Sequence, residues 1–159
     1  MTRTTDRSRG QSIVEFALIL PVFVLLLVGI LDLGRAVYAF NTINNAAREG
    51  ARLAIVDQTI THVEDFAAQR TGWLGVDASG VSVDFRDPDD TANPGSCNAS
   101  PGQAAIVGCL AVVSVTYDYV GATPIISQLV GPISMTGESR FRVESNCAEP
   151  TDPSCPIGD

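Results

Sequence analysis

Arg9-Gly10-Gln11-Ser12-Ile13-Val14-Glu15-Phe16 leads directly into sixteen uncharged residues, Phe16 to Leu31. From Gln11 to Leu31 there are 21 residues, which as an α-helix rise about 31 Å and match a hydrocarbon core of roughly 30 Å. One helix is long enough to span a bilayer. Pro21 inside it removes a backbone hydrogen bond and predicts a kink or a locally melted turn, which neighbouring helices can absorb in lipid.

Beyond Asp32 no turn cluster follows. Leu33, Val37, Phe40, Ile43, Ala47 and Ala51 recur every three or four residues, so the helix is expected to continue as an amphipathic stem, residues 32–56. Asp32 and Arg35, three apart, are placed to pair on its surface. Thr61 with Glu64 three residues on has the pattern of a capping box and predicts a short helix over 61–70.

Strand signals come next. Val81, Val83 and Phe85 alternate with polar residues, as do Cys109, Ala111, Val113, Val115, Tyr117 and Tyr119. A last strand sets Ile133, Met135, Phe141 and Val143 against Thr136, Glu138, Arg140 and Arg142. Such one-faced strands need a partner layer, and the stem's stripe supplies one. The predicted fold class is α+β: a long N-terminal transmembrane helix (11–31) continuing into the stem and packed on a small antiparallel sheet of about three to four strands. The head occupies 57–145, with a surface loop over 87–102 and an irregular, Pro-containing tail over 146–159.

Charge orients the chain. The net charge is −8, but Arg3, Arg7 and Arg9 against Asp6 make the short flank basic, while from residue 32 onward seven arginines face sixteen acids. Basic residues close to a span favour the cytoplasmic side, so residues 1–10 are expected inside and the head outside. An acidic head without a clustered basic face excludes nucleic acid as a partner.

The four cysteines, Cys97, Cys109, Cys147 and Cys155, all lie on the expected outer side, where disulfides persist. Three pairings are possible; the shortest loops, Cys97 with Cys109 and Cys147 with Cys155, are favoured over free thiols, and the spacing is unlike structural zinc sites. Ala46 and Gly50, like Ala47 and Ala51, are four apart and line a small-residue helix face. That face serves either another subunit or the chain's own sheet.

No residues form a catalytic constellation. His62 has Glu64 and Asp65 nearby but no nucleophile motif. Asp87, Asp89 and Asp90 fail the EF-hand template and read as a solvated loop. Asn98-Ala99-Ser100 fits a glycosylation sequon followed by Pro101, without further support. Neither metal nor cofactor is implied.

Taken together, Gly10-Gln11-Ser12-Ile13-Val14-Glu15-Phe16-Ala17-Leu18 with Leu20-Pro21, Asp32-Leu33-Gly34-Arg35 and Ala46-Ala47-Arg48-Glu49-Gly50-Ala51-Arg52 resemble the TadE-like family of pseudopilins. The resemblance covers about residues 9–56; downstream only the general layout is similar. It implies a noncatalytic minor pilin of the tight-adherence (Flp, type IV-like) pilus, anchored in the bacterial cytoplasmic membrane and possessing three classes of partner: the lipid bilayer, a prepilin peptidase, and other pilus subunits with their assembly platform. It implies peptidase cleavage between Gly10 and Gln11, leaving Glu15 as the fifth mature residue, one turn from a new α-amino group that a neighbouring subunit would offer it. A plainer reading lets Glu15 snorkel to water. Phe16 stands where Flp-type pilins often have Tyr.

Two other readings share the same residues. An uncleaved single-pass protein with a binding head would keep its first ten residues. A secreted protein cut after Val37-Tyr38-Ala39 would have Asp32 and Arg35 between its apolar core and the cut, which argues against an ordinary signal peptide.

Overall fold

The computed structural model describes residues 7–88, 97, 107–122, 127–128 and 131–144. Among these residues three strands and two α-helices make an α+β arrangement: α1 (Arg7–Ala54), α2 (Ile60–Arg70), β1 (Val81–Arg86), β2 (Leu110–Tyr119) and β3 (Ile133–Arg142). The sheet order is β1-β2-β3 and both pairings are antiparallel. The long helix and the small antiparallel sheet agree with the architecture expected from periodicity.

α1 stays helical through Pro21, so no turn melts there. It is one helix of 48 residues, within which apolar side chains change their surroundings. Two compact units are distinguishable: one holds the helix up to Val37 with the segment Val120 to Pro132, the other Tyr38–Tyr119 with the chain from Ile133 onward.

In the second unit the stem's Ala39, Ile43, Ala46, Ala47, Gly50, Ala51 and Ala54 are buried, one face repeating every three or four residues. Ala67 of α2 and Val113 of β2 lie against it at Gly50, and Val63 and Ala68 of α2, Val81, Val83 and Phe85 of β1 and Ala111 and Val115 of β2 are buried as well. The odd-numbered residues point inward, as alternation on a pleated strand requires. β2 is the central strand, and Val112 on its other face is buried as well.

β3 departs from its expected burial. Ile133 and Phe141 are exposed, and within the strand only Gly137 is fully inside. The cause is close approach: a Cβ at Gly137 would lie 2.8 Å from Asn44 N and from Ile43 C, and 2.9 Å from Ile43 O. Backbone meets backbone, leaving no depth for large side chains beside it. Val143, two residues beyond Phe141, is buried and extends the ladder through Val143 N to Cys109 O at 2.8 Å.

The helix start at residue 61 is also corrected. α2 begins at Ile60 with Thr59 as N-cap, and Thr59 makes no side-chain capping bond. The Asp57 carboxylate acts instead: its Oδ1 accepts from Thr59 N at 2.9 Å and its Oδ2 meets His62 Nδ1. A carboxylate there complements the positive helix end, which a Thr61–Glu64 box would have capped two residues later.

Candidate functional site: the apolar face of the long helix

A helix that is apolar on every side has no internal partner for most of its surface. Ile13, Val14, Phe16, Leu18, Ile19, Val22, Phe23, Leu25, Leu26, Ile30 and Leu31 are all exposed, Leu18 the most at 73%. Water would penalise such a surface at about 25 cal/mol per Å², so it belongs in lipid or against other apolar helices. By length and composition α1 is the one described helix fit to cross a membrane, as in a single-pass protein.

At its amino-terminal end, Gly10 is helical and exposed, and an added Cβ would meet nothing within 4 Å. Among the described residues no packing contact therefore requires a glycine there. What the missing side chain leaves is open access to the Gly10–Gln11 peptide. Gln11 and Glu15 are both exposed and four residues apart on α1, hence neighbours on one helix face. Phe16 beside them is 64% exposed.

At the other end of the apolar stretch, Asp32 is only 6% exposed, and its Oδ1 accepts a hydrogen bond from Ala122 N at 3.1 Å. A buried carboxylate without donors is costly; this one is met by the backbone N–H of Ala122 in its own unit. Sequence reasoning had offered Arg35 as its partner, and the donor 90 residues away leaves no local sequence signal.

The small-residue face lies in the core of the second unit. Ala46, Ala47 and Ala51 are wholly inaccessible, and a Cβ at the buried Gly50 would come within 2.9 Å of Ala67 Cβ and 3.1 Å of Val113 Cγ1. These residues let α2 and β2 approach the helix closely. Arg48 and Arg52 are exposed on the opposite side, Arg52 lying 3.6 Å from Glu49.

Cys97 and Cys109 form a disulfide, Cα to Cα 5.9 Å, that ties the β1–β2 connection to the start of β2. Cys147 and Cys155 lie outside the described residues, as do Asp89, Asp90 and Asn98. His62 is paired with Asp57 rather than with Glu64 or Asp65. Burial pushes the Asp57 carboxyl up, but the hydrogen bonds from His62 and Thr59 outweigh it and bring it below the usual carboxylate range. Among the described residues no group of three or more His, Cys, Asp or Glu is placed to hold a metal ion.

One feature escaped sequence reasoning. Tyr38 and Trp73 stack with ring centroids 5.6 Å apart, although both are exposed. Trp73 sits outside every periodic segment, and its bracketing glycines, Gly72 and Gly75, were the one available signal.

Residues 10–52 match the family model described as TadE-like protein. No curated protein and no solved structure matches the chain.

Proposed function

With residues 10–52 of TadE-like type, we propose that the chain is a minor pseudopilin of a tight-adherence, type IV-like pilus. The family match by itself supports the coarser statement, a pilus-associated, pseudopilin-like protein of structural rather than enzymatic kind. The finer reading has residues 1–10 in the cytoplasm and the head outside. A prepilin peptidase cuts between Gly10 and Gln11, and the freed helix then associates with other pilus subunits and their assembly platform.

The observation that carries this reading is the apolar surface of α1, exposed on nearly every side from Gly10 to Leu31, with Glu15 near its start as its one charged residue. In lipid, apolar side chains gain little by leaving lipid for each other, so helices associate through packing and polar pairing. An unpaired carboxylate at bilayer depth costs at least about 2.5 kcal/mol. Cleavage creates an α-amino group at Gln11, able to supply the cation that Glu15 lacks. In the proposed assembly a neighbour's ammonium meets Glu15.

A cut after Ala39 is disfavoured by the fold, because it would divide α1 and remove Ala39 from the core, where it is inaccessible. The alternative is an uncleaved single-pass protein whose head binds a partner and which joins no pilus. Mass spectrometry of the membrane-extracted chain from cells that contain the peptidase separates the two. A chain beginning at Gln11 is expected; one that keeps its first ten residues and never associates with pilus subunits would overturn the proposal. Glu15→Gln is expected to leave the head folded and to weaken co-assembly, and unchanged co-assembly would remove the pairing role from Glu15.

A further inference from the structure

The exposed aromatic pair lies within the second unit and is built by local constraints. α2 ends at Arg70, and buried Thr71 closes it by donating Oγ1 to Ala68 O at 2.7 Å. Gly72 (φ 57°) and Gly75 (φ 65°) then bracket a short turn in which Leu74 is buried and Trp73 is 58% exposed. Positive φ at both glycines is the conformation other residues resist. The turn therefore holds the chain's only tryptophan outward, against Tyr38, itself 52% exposed.

A large amphipathic ring left half in solvent and rigidly held is a contact surface. Its partner is suggested by where Tyr38 falls on α1. A 30 Å core needs about 20 residues, so a core begun at Gln11 or at Phe16 ends about three to seven residues before Tyr38, or 4.5–10 Å of helix rise. Helical side chains lean toward the amino terminus, which brings the Tyr38 ring back toward that boundary. The headgroup layer is about 5–7 Å deep on each side of the core, and Trp and Tyr concentrate there because one part of the ring is apolar and the other donates a hydrogen bond. Phe40 beside Tyr38 is also exposed. Arg70, exposed three residues before Trp73, adds a cation for lipid phosphates to a head otherwise dominated by acids.

We infer that Tyr38 and Trp73 form an interfacial anchor that rests the head on the headgroup layer of the outer leaflet. The anchor rests on the single-pass reading above. It keeps the head on the headgroup layer before the helix leaves the bilayer, and entry into a filament would require its release.

Fluorescence of Trp73 tests this in the full chain, reconstituted in vesicles of phosphatidylethanolamine and phosphatidylglycerol. Expected are a blue-shifted emission, lost acrylamide access, and quenching by lipids with a nitroxide near the headgroup that exceeds quenching by lipids labelled deep in the chain. Tyr38→Ser, at an exposed site that leaves the head folded, is expected to reduce the shallow quenching. Trp73 as open to acrylamide as in the urea-unfolded chain, with α1 still resisting alkaline extraction, overturns the anchor while leaving the span intact. Extraction of the chain by alkali overturns both. Protection from acrylamide that grows with protein-to-lipid ratio and shows no lipid quenching assigns the pair to a second copy, and shallow quenching unaffected by Tyr38→Ser removes Tyr38 from the anchor; either result overturns the inference.

Discussion

Between Gly10 and Leu31, α1 carries Ile, Leu, Val and Phe on every side and all but the half-buried Val28 are exposed, whereas between Ala39 and Ala54 it buries a single face of alanines, one glycine and Ile43. The two stretches share one helix and differ in what they are shaped to meet. Large all-round side chains suit a fluid, featureless solvent. Small one-sided residues suit a fixed surface that must come close, here α2 and β2, where no space for even one Cβ remains at Gly50. Mean apolarity marks the first stretch as fit for lipid; side-chain size and its angular distribution say what the second is shaped to meet.

The contrast can be broken by equal substitutions in the two stretches. Ile43→Ala removes a fully buried side chain and is expected to destabilise the head by roughly 2–5 kcal/mol. Leu25→Ala, at a 59% exposed position, is expected to change head stability by less than about 0.5 kcal/mol. Denaturant unfolding of the full chain in micelles, followed by Trp73 fluorescence, measures both. A comparable loss at Leu25 would mean the apolar stretch packs on the head and is not a free face.

A finer test separates two kinds of close approach. Gly137→Ala sets a Cβ against the backbone of Ile43 and Asn44, and Gly50→Ala sets one against Ala67 Cβ and Val113 Cγ1. Overpacking costs about 1–3 kcal/mol, with Gly137 expected toward the upper end because neighbouring backbone cannot rotate away, and Gly50 toward the lower end because added helix propensity offsets part of the clash. A Gly137→Ala midpoint equal to that of the unmodified chain in the same unfolding assay would show that the sheet shifts on the stem to admit a Cβ.

These glycines mark the limit of what the sequence made legible. The helix, its continuation past Asp32 and all three strands follow from period and length, because a packed face leaves a repeat at 3.6 or 2 residues. Gly137 leaves none, and so the shallow burial of β3 was invisible, as were Asp32's bond to Ala122 and the turn that meets Tyr38 with Trp73. Each depends on a contact across many residues with a partner of no fixed type. The small-residue face was legible as a close-packing face, but periodicity alone does not say whether a sister subunit or the chain's own sheet covers it. The amino-terminal residues from Gly10 to Phe16 were legible for a different reason: their meaning lies in their order relative to the span rather than in any fold contact.

The smallest expected effect probes the joint between stem and α2. Asp57 titrates below its ordinary value of 3.8 because hydrogen bonds from His62 and Thr59 overcome the opposing effect of burial. With the folded value depressed, the unfolded chain binds the proton more readily in the window between the two values, so this contribution rises with pH there. It is fully present above about pH 5 and is lost as pH falls through the folded value. Asp57→Asn should therefore lower head stability near neutrality and converge on the unmodified chain in strong acid, a difference read from unfolding midpoints at about pH 6 and about pH 2.5. His62→Gln keeps a neutral donor and should lose only part of that difference. A gap between Asp57→Asn and the unmodified chain that stayed constant from neutrality into acid would show that the carboxylate's charge plays no part in starting α2, and that its shape and its bond to Thr59 are enough to turn the chain out of the stem.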